Sequence, residues 1–185
     1  MATTNGRDIV RFIRDQHEEI RRLFSAVDEN HGDERRDAFE CLVRLLAVHE
    51  TAEEEAVYPV VRSADATGRA IADARVKEES RAKDMLSGLE RSGVEGDEFA
   101  RRFALLRDAV LCHAENEERT VLPLLERTQD KETLDGMGSA VRVAEALAPT
   151  HPHPRGPDSA LGNIAVGPMV AVVDRTRDAL RNVTR

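Results

Sequence analysis

Apolar residues recur along the chain at spacings of three and four, the signature of helices that bury one face. Val10, Ile13, His17, Ile20, Phe24 and Val27 share such a face, which predicts a first helix over 8–28. Residues 30–33, with Gly32, read as a turn. A second helix is expected over 34–63, with Phe39, Leu42, Leu46, His49, Glu53, Ala56 and Val60 inward. Residues 64–69 carry Asp, Thr and Gly and predict another turn. A third helix over 70–91 takes Ile71, Val76, Met85, Leu86 and Leu89 as its apolar positions. Its middle, 77–84, is polar and lacks histidine. A break at 92–96 precedes a fourth helix over 97–127, with Phe99, Phe103, Leu106, Val110, His113, Glu117, Val121 and Leu124 inward. Four helices with short connections predict an all-α fold, an up-down-up-down four-helix bundle over 8–127.

Residues 128–185 are expected to form a C-terminal helical extension. Leu134, Met137, Val141, Ala144 and the pair Leu147/Ala148 suggest a short amphipathic helix. Residues 149–157 are Pro-rich and predict an extended loop. The apolar run 164–173, with Leu180, reads as a last helix starting near Pro168 that packs on the bundle or on a second subunit. A monomer or a homodimer is expected.

Composition supports helix over sheet. Of 185 residues, 34% are charged and only 3% aromatic, with no Trp. The formal net charge of −8 argues against a nucleic-acid surface. The chain has no run of 18 apolar residues, so no membrane span is expected. Residues 1–7 lack the apolar stretch of a secretory signal, and the expected location is cytoplasmic. Cys41 and Cys112 show no C-x-x-C spacing and read as two reduced thiols.

The chemistry lies in two copies of one stretch. His49-Glu50-Thr51-Ala52-Glu53-Glu54-Glu55-Ala56-Val57-Tyr58-Pro59 matches residues 113–123 at an offset of 64, through His49/His113, Glu53/Glu117, Glu54/Glu118, Val57/Val121 and Pro59/Pro123. Each copy sets a His and a Glu one helical turn apart on a core-facing seam. An unpaired buried carboxylate is costly, so Glu53 and Glu117 call for a cation or a metal. Glu50, Glu54 and Glu55 fall off the seam onto a solvated acidic face, with Glu50 close enough to be a reserve ligand. His17 lies in the first seam, as a core histidine or as a ligand. His151 and His153 alternate with Pro and read as an exposed linker. Pro59 and Pro123 each follow a Glu by six residues, where a kink or the last turns of a helix are expected. No nucleophile–base pair, phosphate loop or dinucleotide fingerprint appears, so no enzymatic reaction can be named from motifs.

The helices bearing His17, His49-x-x-x-Glu53 and His113-x-x-x-Glu117 resemble the hemerythrin family, in its bacterial HHE cation-binding branch. The resemblance covers about 8–127. It implies two non-haem irons, oxo- or hydroxo-bridged, held in a four-helix bundle. His17, His49, Glu53, His113 and Glu117 would be ligands, the two glutamates bridging. Tyr58 stands where the family commonly has an aromatic or a His, to reach the site as a phenol or simply to pack. The family's third-helix histidine has no match. The family register puts Ser80 on its place, leaving Glu79 first, then Glu78, or water to fill it. A carboxylate there favours harder iron and disfavours reversible oxygen carriage. The implied function is binding or turnover of oxygen, peroxide or nitric oxide, in oxidative or nitrosative stress. The alternatives are an iron-binding sensor or store, and a structural or interaction bundle whose metal site is degenerate because of Ser80.

Overall fold

The structure is a computed structural model that describes residues 8–91 and 93–147. Its regular elements are all helical. α1 (Ile9–Glu29) starts at Asp8, whose carboxylate accepts from the Arg11 N–H at 2.8 Å, the usual way of satisfying an orphan first-turn donor. It stops at Asn30, whose backbone N–H and side-chain amide both donate to the Ala26 carbonyl. α2 (Gly32–Ala52) then begins at Gly32, whose φ of 60° suits a residue without a Cβ.

The second helix of the bundle is not uniform. α2 passes through a π turn (Glu53–Val57) into α3 (Tyr58–Ala64). The Tyr58 N–H donates to the Glu53 carbonyl, one residue further back than an α-helix would take it. The expected effect of Pro59 thus takes the form of a widened turn. Pro123 has no such effect: α5 (Gly96–Thr128) runs through it to Thr128. The residue before the proline differs between the copies, Tyr58 in one and Leu122 in the other.

The reversal into α4 (Ala66–Glu90) takes a single extended residue, Asp65, whose carboxylate accepts from the Gly68 N–H at 2.7 Å. The turn expected over 64–69 is therefore too long. Gly68 is buried inside α4, where a Cβ would run into the Val61 carbonyl oxygen; it permits close helix approach rather than a turn. The inward face of α4 also departs from expectation. Gly68, Ala72, Glu79, Ala82, Leu86 and Leu89 are buried, whereas Met85 is exposed and Ile71 and Val76 are half-buried.

α1 packs on α2 and α5, and α4 packs on α3 and α5, giving the up-down-up-down bundle. A further helix, α6 (Lys131–Leu147), lies against α1 and contributes Met137 and Val141 to the core. Two apolar clusters fill the bundle, one at each end. The first holds Phe24, Phe39, Phe99 and Phe103, with ring centroids 5.3–6.2 Å apart, together with Leu42, Leu86 and Leu106. The second holds Ile9, Ile13, Val61, Ala72, Leu122 and Leu125. Between them lies a layer of buried polar groups. Among the described residues no helix is long and apolar enough to cross a membrane. The Pro-rich segment with His151 and His153, and the last helix expected near Pro168, lie outside the described residues.

Candidate metal centre

Four helices feed the polar layer. α1 supplies His17, α2 His49, the π turn Glu53, α4 Glu79, and α5 both His113 and Glu117. All six side chains are buried. They fall into two quartets, His17–His49–Glu53–Glu117 and Glu53–Glu79–His113–Glu117, each with one ligand atom per residue within 4.8 Å of the others. The quartets share Glu53 and Glu117. His17 Nε2 lies 3.3 Å from Glu117 Oε2, and His49 Nε2 3.3 Å from Glu53 Oε1. His113 Nε2 lies 3.5 Å from Glu117 Oε2, 3.8 Å from Glu79 Oε1 and 3.9 Å from Glu53 Oε2.

The outer nitrogens fix how the imidazoles face. His17 Nδ1 meets Glu118 Oε1 at 2.9 Å, His49 Nδ1 meets Gln16 Oε1 at 2.9 Å, and His113 Nδ1 meets Glu78 Oε2 at 3.1 Å. Each partner is an acceptor, so each Nδ1 carries the proton and each Nε2 faces the layer. This is the arrangement that orients imidazoles toward a metal. The acceptors are themselves held. Arg21 donates to Glu118 at 2.9 Å, Arg75 and Asn116 to Glu78 at 2.8 and 3.2 Å, and the Gln16 amide to Glu145 on α6 at 3.1 Å.

Inside the layer, hydrogen bonding is incomplete. His17 Nε2, both Glu53 oxygens, Glu79 Oε2, His113 Nε2 and Glu117 Oε2 are buried without a hydrogen-bond partner. Burial, then the charge of Glu117, pushes Glu53 well above the ordinary carboxylate range. Burial likewise lifts Glu79 to about 8. Glu117 is buried too, but the close approach of His17 and Glu53 holds it below the ordinary range. Burial, with His17 nearby, drives His49 down to about 3. Burial opposes charge on His113, but Glu53 and Glu78 outweigh it and raise the imidazole to about 11. In the metal-free layer, His113 itself thus supplies the cation that the carboxylates lack. A divalent ion fits the same need with more charge, and the unpaired oxygens and nitrogens are chemically suited to it.

The remaining candidates divide. Glu79 enters the second quartet. Its neighbour Ser80 is exposed, so on α4 it is Glu79 and not Ser80 that faces the layer. Tyr58 is fully buried; its hydroxyl contacts Glu79 Oε1 and lies 2.7 Å from Glu117 Oε1. Glu50 is buried but belongs to neither quartet. It faces Lys83 Nζ at 3.4 Å, and burial raises it to about 7. Sequence reading missed Gln16, Glu78 and Glu118 as imidazole partners. The matched pair Glu54/Glu118 was a signal for the last: Glu118 holds His17, while Glu54 pairs with Lys83 at 2.7 Å.

The family model of the hemerythrin HHE cation binding domain matches residues 8–138. This chain belongs to the hemerythrin HHE family. The crystal structure of an HHE cation binding domain-containing protein from Mycobacterium kansasii has the same fold, with a TM-score of 0.67 over 96% of this chain and 94% of that one, at 18% identity. An uncharacterized hemerythrin-like protein of Schizosaccharomyces pombe is 26% identical over 136 residues, 73% of this chain and 67% of that protein. A DNA nickase of Nostoc is 26% identical over 151 residues. That alignment takes in 78% of this chain but only 42% of the nickase. The HHE match covers α1 to α5 and reaches into α6, so the helices that build both quartets all lie inside the family domain.

Proposed function

We propose that this HHE domain is a non-haem di-iron protein whose centre binds or turns over a small oxidant: oxygen, peroxide or nitric oxide. The observation that carries this reading is the pair of quartets sharing Glu53 and Glu117, with unpartnered ligand atoms aimed between the helices. His17 and His49 would hold one iron and Glu79 and His113 the other, with Glu53 and Glu117 available to both. Bound iron would supply one-electron chemistry and an open coordination position.

The chain's own residues do the rest. Gln16, Glu78 and Glu118 keep the imidazoles turned inward. The apolar clusters above and below keep water from the layer. Tyr58 holds a hydroxyl proton between Glu79 and Glu117, and burial pushes its own ionisation far up, so it acts as a donor. The degenerate-site alternative rested on Ser80; the Glu79 carboxylate next to it removes the main support for that alternative. Nickase chemistry is not carried over, because less than half of that protein aligns and this chain has a net charge of −8.

The test is elemental analysis of protein purified from iron-supplied cells, with the rate of peroxide loss measured on the same sample. Close to two irons per chain with peroxide consumption or a ligand-dependent spectral change is expected. Iron near zero after loading overturns the di-iron reading. Two inert irons would favour a store or sensor.

A further inference from the structure

Glu50 is buried, yet it belongs to neither quartet, and the chemistry proposed above does not use it. It stands beside a seam of the bundle. α4 packs closely on α3 and α5, but its backbone at most grazes α2. Glu50 on the last turn of α2, Glu54 in the π turn and Lys83 on α4 bridge this gap with their side chains. Lys83 Nζ lies 2.7 Å from Glu54 Oε1 and 3.4 Å from Glu50 Oε2. We propose that Glu50 and Glu54 form a transit site through which a divalent cation enters the metal layer, the Lys83 ammonium holding the site closed until the ion displaces it. This rests on the two-metal reading above and adds how ions reach the centre.

Three observations support the route. Side-chain exposure falls steadily inward, from 41% at Glu54 to 9% at Glu50 and 1% at Glu79. The inner end is an unsatisfied acceptor: Glu79 lies one turn before Lys83 on α4, and its Oε2 is buried with no hydrogen-bond partner. Glu50 and Glu54 both lie close enough to bear on its charge, so an ion leaving Glu50 meets a ligand oxygen of the centre. At the outer end a cation is already in place. Burial opposes charge on Lys83, but Glu54, Glu50 and Glu79 outweigh it and keep the ammonium protonated. Among these carboxylates a divalent ion has twice the charge of the ammonium and outcompetes it. Lys83 sits on a flexible four-carbon stem and is partly exposed, so it can swing out without moving a helix.

The experiment follows Co2+ uptake by the full metal-free chain in stopped flow, through visible absorption, and then Co2+ loss to a chelator. A transit site lies on the path in both directions. Altering it therefore moves the uptake and loss rates together and leaves the dissociation constant unchanged. Glu54→Gln and Glu50→Gln should slow both rates on the order of tenfold, the weight of one nearby charge on a passing ion. Lys83→Met should speed both. Glu55→Gln and Lys77→Met make the same charge changes at exposed positions on the same elements and should change the rates little.

Glu54 and Lys83 are partly exposed, and an ion pair of this kind adds little stability, so the folding of their variants is not at stake. Parent-like rates in Glu54→Gln and Lys83→Met would overturn the route and leave the two-metal reading standing. Equal shifts in the Glu55 and Lys77 variants would reduce the effect to overall charge and overturn it too. A weaker dissociation constant in Glu50→Gln with unchanged uptake would make Glu50 a ligand of the centre and overturn its transit role. No Co2+ retained by the parent chain would overturn both readings.

Discussion

The Tyr58 hydroxyl lies 2.7 Å from Glu117 Oε1 and at the same time contacts Glu79 Oε1. One phenol has one proton, so it donates to one of the two carboxylates at a time. Burial lifts Glu79 to about 8, so a proton is shared among these three groups near neutral pH. Tyr58→Phe keeps the ring and removes this link between two buried carboxyl groups. Chemical denaturation of the metal-free variant should show a loss of about 1–3 kcal/mol. An unchanged midpoint would mean that water replaces the hydroxyl.

His49→Ala and His113→Ala should each remove metal, because their Nε2 atoms are aimed into the layer by Gln16 and Glu78. His151→Ala and His153→Ala should leave metal content unchanged. Their segment alternates with proline, and ordering it around an ion carries an entropic cost that pre-placed helical ligands avoid. Elemental analysis of the four variants decides it; loss of metal from either of the last two would bring residues beyond α6 into the site.

Ser80→His should change nothing at the centre. Ser80 is exposed on α4, while Glu79 faces inward. Metal stoichiometry and affinity should equal those of the parent protein. A rise in affinity would mean that α4 can rotate by one residue.

The bundle was legible in the sequence because α1, α2 and α5 bury large apolar side chains at regular spacing. α4 was not, and the reason is size. Leu86 and Leu89 mark only its C-terminal part; the rest of its buried face is Gly68, Ala72, Glu79 and Ala82, whose small residues bring it close to its neighbours and give little hydrophobic signal. Met85, the more apolar residue, points outward. The absence of a clear α4 seam left the choice between Glu79 and Ser80 to an analogy of register. The π turn was hidden for a related reason. Tyr58 follows Glu53 by five residues, which on an α-helix would turn the two about 140° apart. The widened turn brings both side chains into the layer. His17, His49, His113 and Glu117 needed no such correction to meet, since each lies on a regular helical seam, and Glu53 stands one turn after His49 where the π turn begins.

Stability should respond to pH in opposite senses with and without metal. In the metal-free protein, burial raises Glu79 to about 8 and Glu50 to about 7, and Glu53 is raised as well. The unfolded chain gives up these protons near 4.5. The native state therefore binds more protons, and its stability falls as pH rises through this interval. His113, at about 11, adds to the same trend above 6.5. His49 opposes it only between about 3 and 6.5. From about pH 7 to about pH 8.5 the metal-free protein should thus lose stability. The loaded protein should gain, because metal needs deprotonated carboxylates and neutral imidazoles. Urea unfolding at both pH values, with chelator and with metal, checks the two slopes; a metal-free midpoint that rises with pH would contradict the carboxylate assignment.

The polar layer also sets how the molecule comes apart. It separates the aromatic end of the bundle from the end built on α1, α3 and α6. With buried carboxylates meeting across that divide, the two ends of the metal-free protein are expected to open separately. An ion held by groups from α1, α2, α4 and α5 joins all four helices at mid-height. Amide hydrogen exchange in the metal-free protein should then show two protection levels, one for each end, and the loaded protein a single one. The centre that serves chemistry would be the same element that makes two small folding units behave as one.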